Sequence, residues 1–340
     1  MRSMTRTLLR TMMFSLLFVL FIDQLSAQQY SWFKGNTHTH TWNSSGDFAP
    51  DDVVKWYRQH GYDFLFITDQ GMVTNVEPLN ALLGGGGQFL VLRGEEVASD
   101  RPGTHIHVNA LNPRAEVHAL FGATPRETLQ KDLDQINSVG GLAQINHPNF
   151  LWQLTAEDII SVKGARLLEI MNMHPLVNSI GAGPEFPSTE EIWDQVLSKG
   201  IAIWGVASDD MHQLKESAGG DSADAEPASL PGRGWIVVRA SHLTTEDIMS
   251  SIAKGDFYAS TGVELTDYQI AGKEITVSIK ANERFRIKYR TQFIGQNGRI
   301  LQDSTANPAT YTIKGDEFYV RARITDSNGY KAWTQPVFVK

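Results

Sequence analysis

The 340-residue chain contains no cysteine. That absence excludes disulfide staples, thiolate metal sites, a cysteine nucleophile and a lipid-anchored N-terminal cysteine, so any metal must be held by His, Asp and Glu. An excess of positive charge is also missing: 30 Lys and Arg against 38 Asp and Glu give −8. Nucleic acid is bound by Lys and Arg that neutralise phosphates, and is therefore not an expected partner. Long hydrophobic runs are absent as well. The most apolar stretch, Met12–Ile22, has eleven residues, well short of the roughly 20 that span a bilayer.

That short run still carries information. Arg2, Arg6 and Arg10 precede it and Leu25-Ser26-Ala27 follow, which is the pattern of a secretory signal peptide cleaved after Ala27. The expected mature chain is exported, to the periplasm or beyond, without a transmembrane anchor. It carries 27 basic and 37 acidic residues, a charge of −10.

From Ser31 to about Leu265, short apolar runs alternate with helical segments. Phe64–Ile67, Phe89–Leu92, Leu142–Ile145, Leu167–Ile170, Ile201–Trp204 and Trp235–Val238 are nearly continuous in apolar residues, as strands buried on both faces of a parallel sheet are. Thr155 with Asp158, Ser188 with Glu191, and Thr244 with Asp247 have N-cap and N3 spacing, and Gly164, Gly200 and Gly255 mark the stops. Pro50-Asp51-Asp52 opens another helix, with Val53, Val54 and Tyr57 on its buried stripe. Repeated β-α units of this length favour a closed α/β barrel. Beyond Leu265 the periodicity switches to alternation in Glu274–Ile279, Phe285–Tyr289 and Tyr319–Ile324, with turns at Gln296–Gly298 and Ser327–Gly329. An antiparallel β-sandwich accessory domain is expected there. The division is 1–27, 28–264 and 265–340.

All ten histidines lie between His38 and His242. His38 and His40, two apart on an extended segment, point to the same side and reach one ion. Asp69, Glu95-Glu96, His107, His147, and Asp210 with His212 each fall in or at the end of a different strand. In a parallel barrel those ends converge on one face, where active sites are built. A His/carboxylate metal site accounts for this pattern better than structural polar residues do.

The segments His38-Thr39-His40, Ile67-Thr68-Asp69, Gly94-Glu95-Glu96, His147-Pro148 and Asp210-Met211-His212 occur in the order of the PHP (polymerase and histidinol phosphatase) family, which the chain resembles from Lys34 to about Leu265. The resemblance implies a distorted (β/α)7 barrel that holds up to three metal ions and cleaves phosphoesters. It makes His38, His40, Glu96 and Asp210 ligands of one metal, with Glu96 bridging to a second held by His107 and His147; His105 is the alternative to His107. Two departures stand out. The family has Asp where this chain reads Ser44-Ser45-Gly46-Asp47, and His where it has Gln70. Those positions, with His212, would form the third site. One or two tightly bound ions of Zn, Mn or Fe are therefore expected, and a weak or missing third.

The implied chemistry is hydrolysis by metal-activated water, with Asp69 as ligand, proton acceptor or orienter of His40 and His212 as proton donor to the leaving oxygen. A missing third cation favours a diester over a dianionic monoester, on a small-molecule or glycan-linked substrate. Secondary substrate candidates are Arg233, before a strand, and Glu169 and His174, after one; surface or packed polar roles compete with each. His60, His118 and His242 are expected in solvent, Gly84–Gly87 as a connector, and the acidic run 215–231 as a lid. Rival readings are hydrolysis of another ester or an amide, and a non-catalytic envelope- or glycan-binding protein with a degenerate metal site.

Overall fold

The computed structural model describes residues 30–215 and 227–339. The leader 1–27 and most of the run 215–231 lie outside the described residues. Strands and helices follow one another as β1 (Ser31–Asn36), α1 (Pro50–Gln59), β2 (Phe64–Ile67), α2 (Glu77–Leu83), β3 (Leu90–Arg101), β4 (Thr104–Leu111), α3 (Pro125–Ser138) and β5 (Leu142–Ile145). They continue as α4 (Ala156–Ser161), β6 (Leu167–Asn172), α5 (Thr189–Leu197), β7 (Trp204–Ser208), β8 (Trp235–Ala240), α6 (Thr245–Lys254) and β9 (Phe257–Ser260). Thr155–Asp158 and Ser188–Glu191 form reciprocal capping boxes, and Thr244 accepts the Asp247 N–H. α6 stops at Gly255 in left-handed backbone, φ 76°.

The sheet is mixed rather than parallel throughout. β1, β2 and β3 pair in parallel, as do β5, β6 and β7, but β4 is antiparallel to β3 and β5, and β8 to β1. Pro102-Gly103 explains the first reversal: with Gly103 at φ 79° it turns the chain in two residues, and Arg101 faces Thr104 across a long hairpin. β7 also starts later than the apolar run Ile201–Trp204 suggests, because its pairing with β6 begins at Trp204.

The strand order is β8-β1-β2-β3-β4-β5-β6-β7, and among the described residues no ladder joins β7 to β8 or to β1. Just beyond the strands, the chain after β7 meets the chain after β1. There the His40 N–H donates to the Met211 carbonyl (3.0 Å) and the Asp210 N–H to that of His38 (3.1 Å). This contact brings the segments after β1 and β7 side by side.

The remaining strands are β10 (Leu265–Ala271), β11 (Glu274–Ile279), β12 (Tyr289–Gly295), β13 (Arg299–Ser304), β14 (Ala309–Thr312), β15 (Tyr319–Asp326), β16 (Lys331–Thr334) and β17 (Val337–Phe338), and their pairings are all antiparallel. Residues 285–288 are not a strand as their alternation suggested, since Arg286 is left-handed (φ 52°) and β12 pairs with β15 only from Tyr289. β10, β11 and β14 form a small sheet, whereas β13, β12, β15 and β16 continue the main one through β9. Tyr319 and Trp333 share a hydrophobic cluster with Trp193 and Val206, so the all-β region is packed onto the α/β region. Arg321 on β15, fully buried, donates to Glu190 (2.8 Å) and Asp194 (2.6 Å) of α5 and ties the two regions together.

Candidate metal centre

Asn36 at the end of β1 accepts the His38 N–H through Oδ1 (3.0 Å) and so sets the start of the His38-Thr39-His40 segment. Both imidazoles are fully buried, their Nε2 atoms 3.2 Å apart. Asp210, in left-handed backbone (φ 50°) beyond β7, places Oδ1 3.1 Å from each. Glu96 on β3 reaches four imidazoles: His38 at 3.2 Å, His40 at 3.4 Å, His107 at 3.2 Å and His147 at 3.5 Å. Its neighbour Glu95 faces the other side of the strand. There it accepts the Val117 N–H, and burial raises its carboxyl to about 7.

Two donor groups result, His38–His40–Asp210 and His38–Glu96–His147, each with its ligand atoms within 4.8 Å of one another. Donors about 2.1 Å from a tetrahedral ion lie about 3.4 Å apart, so the observed spacings suit a divalent cation. Burial opposes charge on His38, yet Asp210, Glu169 and Glu96 outweigh it and lift the imidazole well above the ordinary histidine range. Glu96, against the same burial, is held well below the carboxylate range by His38 and His107. His107 rises to about 10 despite burial, through Glu96 and Asp100. Burial lowers His40 instead, helped by the neighbouring His212 and His38.

Around these donors lies a layer of buried hydrogen bonds. Of the two roles the sequence left open for Glu169, cavity wall or packed polar residue, it takes the packed one: it is buried behind the site. It accepts from His38 Nδ1 (2.8 Å), the His147 N–H (2.7 Å), Asn172 (2.8 Å) and Ser208 (2.5 Å), and thereby leaves His38 Nε2 facing the donors. Asp69 reaches His40 only through Ser44: it accepts from Thr41, Thr74 and Ser44 Oγ (2.8 Å), and Ser44 Oγ lies 3.4 Å from His40 Nδ1. Gln70 donates to Glu96 (3.0 Å), using a carboxylate oxygen that faces the donors.

Sequence reasoning missed Asp209 and Asn146. Asp209 is fully buried and accepts from Tyr57 and from the N–H groups of Gly232, Arg233 and Gly234, fixing the turn before β8 beside Asp210. The Asp209-Asp210 doublet and the Gly-Arg-Gly turn are the signal that pointed to it. Asn146, just before His147, donates to Glu96 Oε1 (2.9 Å).

The donors open onto a cavity of about 130 Å³ lined by Gln70, Glu96, His107, His147, Phe150, His174, Val177, Asp210 and His212. His174, for which the sequence left a packed role open as well, is at the cavity wall. His212 sits 3.3 Å from Asp210 and stacks on His40 at 4.4 Å. Arg233 is not among the residues that line the cavity; its N–H donates to Asp209. Asp47 is not at the wall either; its N–H donates to the His212 carbonyl. His60, His118 and His242 are exposed, and Gly84–Gly87 forms a turn after α2.

The β3–β4 hairpin separates His105 from His107. His107 turns Nδ1 toward Glu96 and its Nε2 lies 3.1 Å from Asp100, while His105 stays at the rim, 2.8 Å from the same carboxylate. Asp100 therefore fixes which nitrogen of His107 faces the donors. Asp100→Ala is expected to weaken divalent metal binding by about 10- to 100-fold, read by isothermal titration with Zn or Mn; unchanged affinity would remove this role.

No protein-family model matches the sequence, and no curated protein does. Among solved structures, the fold is similar to that of a two-domain protein from Bacteroides vulgatus ATCC 8482 containing a predicted PHP-like metal-dependent phosphoesterase. The TM-score is 0.51 at 16% identity, over 91% of this chain and 96% of that one. A candidate metal-dependent phosphoesterase from Bifidobacterium adolescentis ATCC 15703 aligns at TM-score 0.41 and 12% identity, over 55% of this chain and 91% of that one. An amidohydrolase from Chromobacterium violaceum, with bound sulfate and no metal, aligns at 0.37 and 13%, over 58% and 92%. A buried His/carboxylate centre on a mixed α/β sheet, followed by an all-β region, defines the class of scaffold. The chain has a PHP-like fold.

Proposed function

We propose that the protein is an exported metal-dependent phosphoesterase that favours diesters. In this reading residues 28–264 are the distorted seven-stranded PHP barrel, closed through the contact between the segments after β1 and β7, and 265–340 are a sandwich-like accessory domain. The observation that carries it is the meeting of His38, His40, Glu96, His147 and Asp210 in one buried cluster that opens onto a cavity. One or two ions of Zn, Mn or Fe, bound by these residues, would polarise a phosphoryl oxygen and activate water. His212 and His174 line the cavity outside both donor groups, and in this reading one of their imidazoles would deliver a proton to the leaving oxygen. The nine lining residues include no Lys or Arg, and Gln70 stands where a further ligand would be. That leaves little positive charge for a phosphate dianion and supports a diester. Export rests on the sequence of residues 1–27.

The metal-loaded protein, tested on bis-(p-nitrophenyl) phosphate and p-nitrophenyl phosphate, is expected to show at least a tenfold higher kcat/KM for the diester. Monoester preference would overturn the diester assignment. Hydrolysis of a carboxylic ester or amide with neither phosphate cleaved would overturn the phosphoesterase itself.

A further inference from the structure

One side of the cavity is not built for metal. Phe150 and Val177 stand in its wall among the histidines. The residues beside them in sequence, Leu151 and Leu176, are 53% and 40% exposed. Trp152 follows, its ring 4.5 Å from that of Phe186, which is itself 41% exposed. Leu151 and Leu176 thus follow and precede the two apolar wall residues directly in the chain, and exposed hydrophobic area next to a cavity marks a binding surface.

The backbone here is also unusual. Leu151 (φ 50°), Trp152 (φ 57°) and Asn178 (φ 54°) are left-handed, a conformation that Leu and Trp rarely adopt. Hydrogen bonds between the two loops hold it. Asn149 Nδ2 donates to the carbonyls of Asn178 (3.1 Å) and Pro187 (2.9 Å), and Asn178 Nδ2 returns to the Asn149 carbonyl (3.4 Å). A leucine kept in strained backbone and half in water gains nothing for folding, and such strain concentrates at ligand sites. The two loops that carry Phe150 and Val177 are therefore fixed to each other beside the donors.

We propose that this side of the cavity is a substrate subsite: the phosphodiester cleaved at the metal centre carries an apolar, ring-sized alcohol that packs on Phe150, Leu151, Leu176 and Val177. The proposal rests on the phosphoesterase reading and adds the class of substrate. With no Lys or Arg at the cavity wall, apolar contact on this side is the recognition available to a group linked to the phosphate.

The test compares bis-(p-nitrophenyl) phosphate with methyl p-nitrophenyl phosphate, which share a leaving group and differ in the other substituent. In the metal-loaded double variant Leu151→Asn/Leu176→Ser, the aryl-to-methyl ratio of kcat/KM is expected to fall about tenfold, mainly through KM for the aryl diester. Asparagine tolerates left-handed backbone, so the variant is expected to melt no lower than the parent. Ile270→Ser, at an equally exposed apolar position on β10, is expected to keep the parental ratio. A double variant with the parental ratio overturns the subsite and leaves the phosphoesterase intact. Turnover of neither diester by the parent protein overturns the diester reading on which the subsite rests, and the subsite with it.

Discussion

Glu96→Ala is expected to remove the centre as a working unit. Four imidazoles lie within 3.5 Å of this carboxylate, and Asn146 and Gln70 donate to it as well. No neighbouring residue can replace it, because Glu95 faces the opposite side of β3 and Asp210 is already shared by His38 and His40. We expect at least one metal ion fewer per chain by elemental analysis. Diester turnover should fall by about 10³-fold or more, ~4 kcal/mol of transition-state stabilisation. Glu96→Gln keeps the volume and an acceptor for Asn146 but removes the charge that balances the imidazoles. It is expected to lose metal and turnover almost as fully, which separates the chemical role from packing. A full metal complement together with turnover within tenfold of the parent would contradict the assignment.

The second large effect is on stability. Arg321→Ala leaves buried Asp194 without its cation and Glu190 with Arg323 alone (3.2 Å), while the Tyr319 hydroxyl still bonds to Asp194 (2.7 Å). Breaking a buried pair from one side costs about 3–5 kcal/mol. Glu190, despite burial, is held at about 2 instead of 4.5 by Arg321 and Arg323; that difference alone is roughly 3 kcal/mol. The sign of the pH dependence follows. A carboxyl depressed in the folded state contributes stability above its unfolded value, and loses it as pH falls through the folded one. The deficit of the variant is thus expected to be full above about pH 5 and to shrink toward pH 2. Urea unfolding at pH 7 and pH 3 would measure it, and a deficit that does not change with pH would exclude charge as its cause. Replacing all three partners with apolar residues of similar volume is expected to recover most of the loss.

Much of this protein was legible in its sequence, for identifiable reasons. Capping pairs such as Ser188–Glu191 are local, and they began helices where they were read. Buried runs such as Phe64–Ile67 became strands because a continuous apolar segment has to be covered on both faces. His38, His40, Glu96, His147 and Asp210 stood out because each follows or ends an apolar run, and the fold brings them into one cluster.

Other features depended on distance between segments. Sequence spacing put His105 and His107 on the same side of a strand; only the hairpin through Pro102-Gly103, which brings Asp100 to both, turned His107 inward toward Glu96. Glu169 changed from a pocket candidate to the partner of His38 because its carboxylate lies in the buried space behind that ring. Arg233, left open between phosphate contact and surface, is absent from the cavity wall, and its N–H is held by Asp209.

Composition by itself determined the chemistry available: with no cysteine and ten histidines, a metal here is bound by imidazole and carboxylate. Periodicity determined the class of elements and the switch to an all-β region. Tertiary structure alone decided that the segments after β1 and β7 meet, that the all-β strands extend the same sheet, and that Phe150 and Val177 border the donors. Periodicity reports what a residue does within one or two turns of its own element. Convergence of side chains from separate strands is set by how those strands twist, pair and stop, and that becomes fixed only when the whole sheet is assembled.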